Sequence, residues 1–219
     1  MSLSQRQAFS TIRRAYAKVG RKPVTTPSTL RLIQNVQTNR TTYTFPILEG
    51  DSNITLPEQK LLNRADAFTA TSVGVFIGGL PDTGTTAVTN GAYQLFGYQS
   101  VPLTTNGVTN ANALFQQGYL NVSVNNVAYL QNWDLFQCYR GPIVQTGNLL
   151  ATGTSTTIQN SIDGKVDGFA DLVPTLQFSG TAKIDITISL PTSLAFTTAC
   201  QINLIFRGFL SLGASNLNK

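Results

Sequence analysis

Hydrophobic and polar residues alternate with a period of two along most of the chain after residue 41, a pattern typical of β-strands. The clearest case is 182–190, where Ile184, Ile186, Ile188 and Leu190 alternate with polar residues. One face of this strand therefore faces a core and the other faces water. Strands are predicted in segments 41–48, 66–79, 92–98, 118–126, 127–140, 142–151, 172–180, 181–191 and 200–212. The pattern predicts an all-β fold, an antiparallel sandwich of jelly-roll type.

The segments between these strands have the composition of turns and loops. Asn125 and Asn126 separate two strand patterns and fit a two-residue hairpin turn, because Asn tolerates the positive φ that such turns require. One loop is predicted to hold a short helix around 110–117. No repeat of fixed period is visible, which argues against a propeller or a solenoid.

The first residues follow a different period. Apolar residues recur at spacings of three and four between positions 4 and 19, which predicts a helix with one apolar face. Ser4 with Gln7 forms a capping-box pattern at its start, and Gly20 marks its end. The residues predicted to form the apolar docking face are Phe9, Ile12, Tyr16 and Val19.

Charge is concentrated in the same part of the chain. The first forty residues hold eight of the fifteen Lys and Arg residues and no acid, since the first acidic residue is Glu49. Residues 41–219 hold seven basic and ten acidic residues, a net charge of −3. A basic arm on such a body predicts binding to a polyanion, either nucleic acid or an anionic membrane surface. The predicted binding residues are Arg6, Arg13, Arg14, Lys18, Arg21, Lys22, Arg31 and Arg40.

These patterns divide the chain into two parts. Residues 1–40 are predicted to be the basic arm, with a helix at about 4–19 followed by an extended linker that contains Pro23 and Pro27. Residues 41–219 are predicted to be the β-sandwich, a length that suits one large all-β domain.

The composition of the whole chain favours self-assembly. Only 11% of the residues are charged and 42% are hydrophobic, so neutral polar residues replace the usual charged surface. A surface with so little charge repulsion suits a protein that is covered by copies of itself. No signal peptide or membrane-spanning run is recognised, and Cys138 and Cys200 lie in apolar runs, which favours a reducing cytosol.

The residues that usually carry out catalysis are scarce. The chain has no His, which excludes Ser-His-Asp and Cys-His arrangements, and no phosphate-binding glycine motif precedes a helix. Asp163, Asp167 and Asp171 form the one acidic cluster, which is interpreted as a solvated loop or short helix in preference to a Ca²⁺ site. An acid pair such as Asp134 with Glu58 is left open as a glycosidase arrangement. The sequence predicts no enzyme activity, no metal and no cofactor.

A basic arm (MSLSQRQAFSTIRRAYAKVGRK), a Pro-containing linker and a Thr- and Asn-rich β body resemble the capsid proteins of small icosahedral viruses and non-tailed bacteriophages. The resemblance lies in the layout of the whole chain. It implies a jelly roll that tiles a homo-oligomeric shell, with the arm pointing inward to the packaged genome without reading its sequence. It also implies a protein made in the host cytoplasm and located in the virion.

Two further readings stay open at this stage. The apolar face of the arm would also suit an internal membrane, a neighbouring subunit or another virion protein. The alternative function is a phage spike or receptor-binding β-sandwich whose loops bind a glycan on the host surface, with the arm as an attachment helix.

Overall fold

A computed structural model of the 219-residue chain describes residues 6, 8–10, 12–14, 24–51, 59–79, 95–96, 105–138, 168–196 and 200–215. Within these ranges the chain forms strands β1 (Thr25–Asn35), β2 (Thr42–Thr44), β3 (Ala67–Gly79) and β4 (Leu95–Phe96), then helix α1 (Thr105–Phe115). Strands β5 (Tyr119–Val124) and β6 (Val127–Asp134) follow, then a 3₁₀ helix (Leu135–Cys138), β7 (Phe169–Ser179), β8 (Ile184–Ser189) and β9 (Cys200–Ser211).

The strands form two antiparallel sheets. The five-stranded sheet has the order β1-β9-β3, and the free side of β3 pairs with β7 along residues 67–74 and with β4 at residues 77–78. The four-stranded sheet has the order β2-β8-β5-β6. The first sheet thus contains β1, β3, β4, β7 and β9, and the second contains β2, β5, β6 and β8.

The core lies between the two sheets. The apolar positions alternate with a period of two and contribute buried side chains to a single cluster in strands β1, β2, β3, β5, β7, β8 and β9. The largest side chains of that cluster include Tyr43, Phe45, Phe68, Phe178 and Phe206, all of them at most 1% exposed. This packing defines an all-β sandwich, because each sheet buries one face against the other.

The opposite face of the five-stranded sheet is also largely buried. On β9, residues 201, 203, 205, 209 and 211 alternate with the core positions and are nevertheless buried. The corresponding positions of the four-stranded sheet, such as Asn121 and Ser123 on β5, are half-exposed. We call the face of the five-stranded sheet that points away from the core its outer face.

Most of the sequence-predicted strands are confirmed. The segments 41–48, 66–79, 92–98, 118–126, 127–140, 172–180, 181–191 and 200–212 each contain a strand. Strand β2 is much shorter than predicted, and only Leu95 and Phe96 of segment 92–98 are described. Segment 142–151 lies outside the described residues. Ile186 and Ile188 are fully buried, as the alternation in β8 predicts.

The predicted turn and short helix are confirmed as well. Asn125 and Asn126 connect β5 to β6 with φ angles of 52° and 63°, the left-handed values that the hairpin requires. Helix α1 covers most of the predicted 110–117 region and begins five residues earlier. Both cysteines are buried and free.

The prediction of a linker up to residue 40 is wrong. The segment is extended, but its residues 25–35 form β1, which pairs with β9 along its whole length from Thr25 opposite Ser211 to Asn35 opposite Gln201. Leu30 and Leu32 of β1 are buried in the core. The fold therefore begins near Thr25 and not at Thr41, because a strand at a sheet edge needs few apolar residues and reads as a polar linker.

Candidate polyanion-binding surface

The described residues of the arm lie against the outer face of the five-stranded sheet. Residues 6, 8–10 and 12–14 have helical backbone geometry. Ala8 and Ile12 are buried in a small cluster with Ala67 and Phe209 of the outer face, and the ring of Phe9 lies 4.5 Å from the ring of Phe209. The apolar side of this segment is thus covered by the body of the same chain.

The basic residues of this segment point to solvent. Arg6, Arg13 and Arg14 are exposed, which is expected of side chains on the helix face opposite Ala8 and Ile12. The predicted binding residues Lys18, Arg21 and Lys22 and the predicted docking residues Tyr16 and Val19 lie outside the described residues. The exposed arginines therefore place positive charge on the solvent side of the arm, at the point where the arm covers the outer face.

Arg207 is the basic residue of β9 on the same face. It lies two residues from Phe209, about 7 Å along an extended strand, and therefore next to the contact with the arm. Its guanidinium carbon lies 3.7 Å from the centroid of the Phe169 ring, a cation–π contact. Partial burial lowers the pKa of this guanidinium, which nevertheless stays protonated at neutral pH.

Two glycines allow the aromatic pair beneath Arg207 to lie close to the sheet. The rings of Phe76 and Phe169 are 5.2 Å apart. A Cβ atom at Gly74 would come within 2.9 Å of Phe76, Phe169 and the Gly168 carbonyl oxygen, and Gly168 itself has a φ of 82°. Phe169 is only 8% exposed, so its ring supports Arg207 and is covered from solvent. The guanidinium is held by this packing and not by an acid.

Arg31 of β1 lies diagonally beside Arg207. Its register partner on β9 is Ile205, and Arg207 pairs with Thr29, so the two arginines share the outer face on neighbouring strands. Residues in such diagonal positions have Cβ atoms about 7–8 Å apart. The backbone of Lys60 pairs with that of Arg31, but its ammonium group donates to Ser28, which belongs to the other alternation of β1.

The other described basic residues of the body have acceptors of their own. Arg64 pairs with Asp51 at 2.6 Å and Lys183 with Asp185 at 3.5 Å. Arg40 donates to the Thr42 carbonyl and to Gln37, and Lys60 donates to Ser28. Within the described ranges, the guanidinium groups of Arg31 and Arg207 have no hydrogen-bond acceptor and no carboxylate partner.

Of the eight predicted polyanion-binding residues, the described ranges contain five. Arg6, Arg13, Arg14 and Arg31 lie on or above the outer face, whereas Arg40 lies at a turn, with its guanidinium 5.2 Å from the ring of Tyr43. Arg207 was not predicted, since a single Arg among the apolar residues of a strand carries no motif. Its one sequence signal is its place in the β9 alternation, on the face opposite Phe206.

The remaining candidates for chemistry are dispersed. Asp171 is exposed on β7, while Asp163, Asp167 and Glu58 lie outside the described residues. Asp134 accepts a hydrogen bond from the backbone of Phe136, and Trp133 is half-buried against the core. Among the described residues there is no group of three potential metal ligands and no helix long and apolar enough to cross a membrane.

Comparison with known proteins identified no relative of this chain. Searches against protein-family models, curated proteins and solved structures found no significant match.

Proposed function

We propose that this protein is a structural virion protein that self-assembles into an icosahedral shell through its β-sandwich. In this proposal the arm points inward to the packaged genome, and the chain is made in the host cytoplasm and works without a cofactor. It has no enzymatic role. The proposal rests on the strand order, on the low content of charged residues in the body and on the basic arm.

The strand order supports a jelly roll. If β4 is set aside as an extra short strand, the first strand pairs with the last (β1 with β9), the second with the second-last (β2 with β8) and the third with the third-last (β3 with β7). The two central strands, β5 and β6, form a hairpin. A long antiparallel hairpin wrapped into two sheets has this pairing, and viral capsid domains are among the proteins built in this way.

The observation that carries self-assembly is the edge of the four-stranded sheet. Residues 105–138 contain a single charged residue, Asp134. Within that range β6 is an edge strand with exposed Val127 and Tyr129, and Phe136 follows it at 47% exposure. Monomeric proteins usually protect sheet edges with Lys or Pro, so an uncharged edge with exposed apolar residues favours contact with another copy.

The arm is proposed to be a basic amphipathic helix at about 4–19 that binds nucleic acid. The burial of Ala8 and Ile12 and the exposure of Arg13 and Arg14 support two distinct faces. Since Phe9 and Ile12 already pack on the sheet of the same chain, their contact favours nucleic acid over a membrane, which would need those side chains to be free.

Electron microscopy and size-exclusion chromatography of the purified full-length chain test the proposal. A shell subunit should yield closed particles or pentamers, whereas a spike or receptor-binding protein should yield trimers. Stable trimers or monomers at all concentrations would contradict the shell function. Deletion of residues 1–22 should leave assembly-competent protein that loses nucleic acid content or control of particle size.

A further inference from the structure

We infer that Arg207, supported by Phe169, is a phosphate-binding residue for nucleic acid at the partly exposed part of the outer face that holds Arg207 and Arg31, acting together with the arginines of the arm. The inference rests on the proposed binding of nucleic acid by the arm and extends it to the body of the protein.

The first argument is the missing partner. Fully buried arginines are usually paired, because a guanidinium carries five N–H donors and a full charge, and Arg31 and Arg207 are partly buried. Four of the six described basic residues of the body donate to their own chain, and the two that do not, Arg31 and Arg207, are diagonal neighbours. Unused donors gathered on one face are what a phosphate group requires.

The second argument is preorganisation. The contact with Phe169 holds the Arg207 guanidinium in one place, so less side-chain entropy is lost when it binds an anion. Gly74 and Gly168 leave room for the Phe76 and Phe169 rings that support it.

The third argument is the distribution of charge around Arg207. Arg13 and Arg14 are exposed on the arm segment that contacts Phe209, two residues along β9 from Arg207. The acid nearest in register is Asp171, which is separated from Arg207 by Ser72 of β3 and forms no ion pair with it. Among the described residues, this face therefore carries more positive than negative charge, which favours an extended anion over a single small one.

The protein contacts the phosphates of the nucleic acid and not its bases. Phe169 is covered by Arg207 and by its neighbours, so its face is not available for base stacking. Arginine contacts to phosphate fix the position of a strand but carry no sequence information. We expect binding that is strong at low salt, weak at high salt and indifferent to base composition.

The test measures binding of a fluorescent single-stranded oligonucleotide of mixed sequence by full-length subunits over a range of salt concentrations. Arg207→Met keeps the aliphatic packing on Phe169 but removes the charge. It should weaken binding about tenfold at low salt and reduce the slope of log K against log salt by about 0.7. Arg207→Lys should retain most of the slope, since Lys still offers a point charge. Lys183→Met on the other sheet is the matched control and should bind as the wild type does.

The failure of this inference differs from the failure of the proposed function. If Arg207→Met binds as tightly as Lys183→Met while Arg13→Gln/Arg14→Gln binds weakly, the arm binds nucleic acid and the role of Arg207 is refuted. If the wild type does not bind the oligonucleotide, nucleic acid binding by the arm and the role of Arg207 are both refuted. Binding to vesicles that contain phosphatidylserine in place of the oligonucleotide would overturn the assignment to nucleic acid.

A measurement on the unmodified chain covers the case in which Arg207→Met fails to fold. Phenylglyoxal modifies accessible arginines, and Arg207 is partly exposed. Saturating oligonucleotide should slow its modification several-fold, as read by peptide mass spectrometry, while Arg64, which pairs with Asp51, should be unaffected. Equal modification of Arg207 with and without the oligonucleotide would refute the inference.

Discussion

At the scale of single residues, glycines set the tightest contacts of the sandwich. Gly208 lies in β9 beside the irregular register of β3 between Ala70 and Ser72. A Cβ atom at Gly208 would overlap the carbonyl oxygen of Thr69, which belongs to the backbone and cannot rotate away. The strand pairing at this point therefore depends on the absence of a side chain.

The substitution Gly208→Ala should destabilise the protein by about 2–3 kcal/mol or more, because the β3 and β9 backbones must separate to admit the methyl group. Thr29→Ala, at an exposed position of β1, is the control and should change stability by less than about 0.5 kcal/mol. Denaturant unfolding followed by circular dichroism measures both. Equal stability of the two variants would show that the pairing can adjust.

Burial of Cys138 makes the stability of the protein sensitive to alkaline pH. Desolvation raises the pKa of this thiol to about 12 from its ordinary value of 9.0. In the unfolded chain the thiol loses its proton near its ordinary pKa, so the folded state binds more protons above that pH. The free energy of unfolding should then fall as pH rises, by up to about 1.4 kcal/mol per pH unit.

Cys138→Ala should show a shallower fall in unfolding free energy between about pH 9 and pH 12, although a cavity lowers its stability at every pH. Unfolding curves over that pH range give the slope directly. Tyr43, whose pKa is also raised by burial, contributes in the same direction and is left unchanged in the variant. A slope equal to that of the wild type would exclude Cys138 as the cause.

At the scale of elements, β1 differs most from its sequence-based prediction. Its residues were predicted to form a linker, yet they complete the edge of the five-stranded sheet and bury Leu30 and Leu32 in the core. The arm before it contacts the outer face through a much smaller cluster, which includes Phe9 and Phe209. The two N-terminal pieces should therefore behave differently when they are removed.

Deletion of residues 1–22 should leave a cooperative, soluble fold, whereas deletion of residues 1–40 should prevent folding. The longer deletion removes eleven residues of paired strand and leaves the β9 edge unpaired. Far-ultraviolet circular dichroism and thermal melts distinguish the two outcomes. A folded 41–219 fragment would instead support a domain boundary at residue 41.

At the scale of the whole molecule, the distribution of charge separates two surfaces. The outer face of the five-stranded sheet carries the arm and its exposed arginines, whereas β6, at an edge of the four-stranded sheet, is nearly free of charge. We expect the first to meet polyanion and the second to meet other subunits.

Tyr129→Lys should abolish or strongly reduce particle formation without lowering the melting temperature by more than a few degrees. Tyr129 is 52% exposed on β6, so the new charge costs little in the monomer but repels its copies at a shared edge. Val173→Lys on β7 is the matched control, at 60% exposure on the other sheet. Normal particles from Tyr129→Lys would exclude this part of β6 as a subunit contact.

The sequence by itself determined the class of the fold and the separation of charge. Alternation identified β8, the pair of asparagines identified the turn from β5 to β6, and counting alone located the eight basic residues among the first forty. These features are local, so each can be read from neighbouring residues.

Tertiary structure decided which segments meet. Strand β1 is recognised as part of the sheet only through its pairing with β9, some 170 residues later, because an edge strand lacks a strong pattern of its own. For the same reason, the inference that Arg207 binds phosphate depends on its neighbours Phe169, Arg31 and the arm, which come from distant parts of the chain. Contacts between segments far apart in sequence depend on the packing of the whole fold, and no local pattern encodes them.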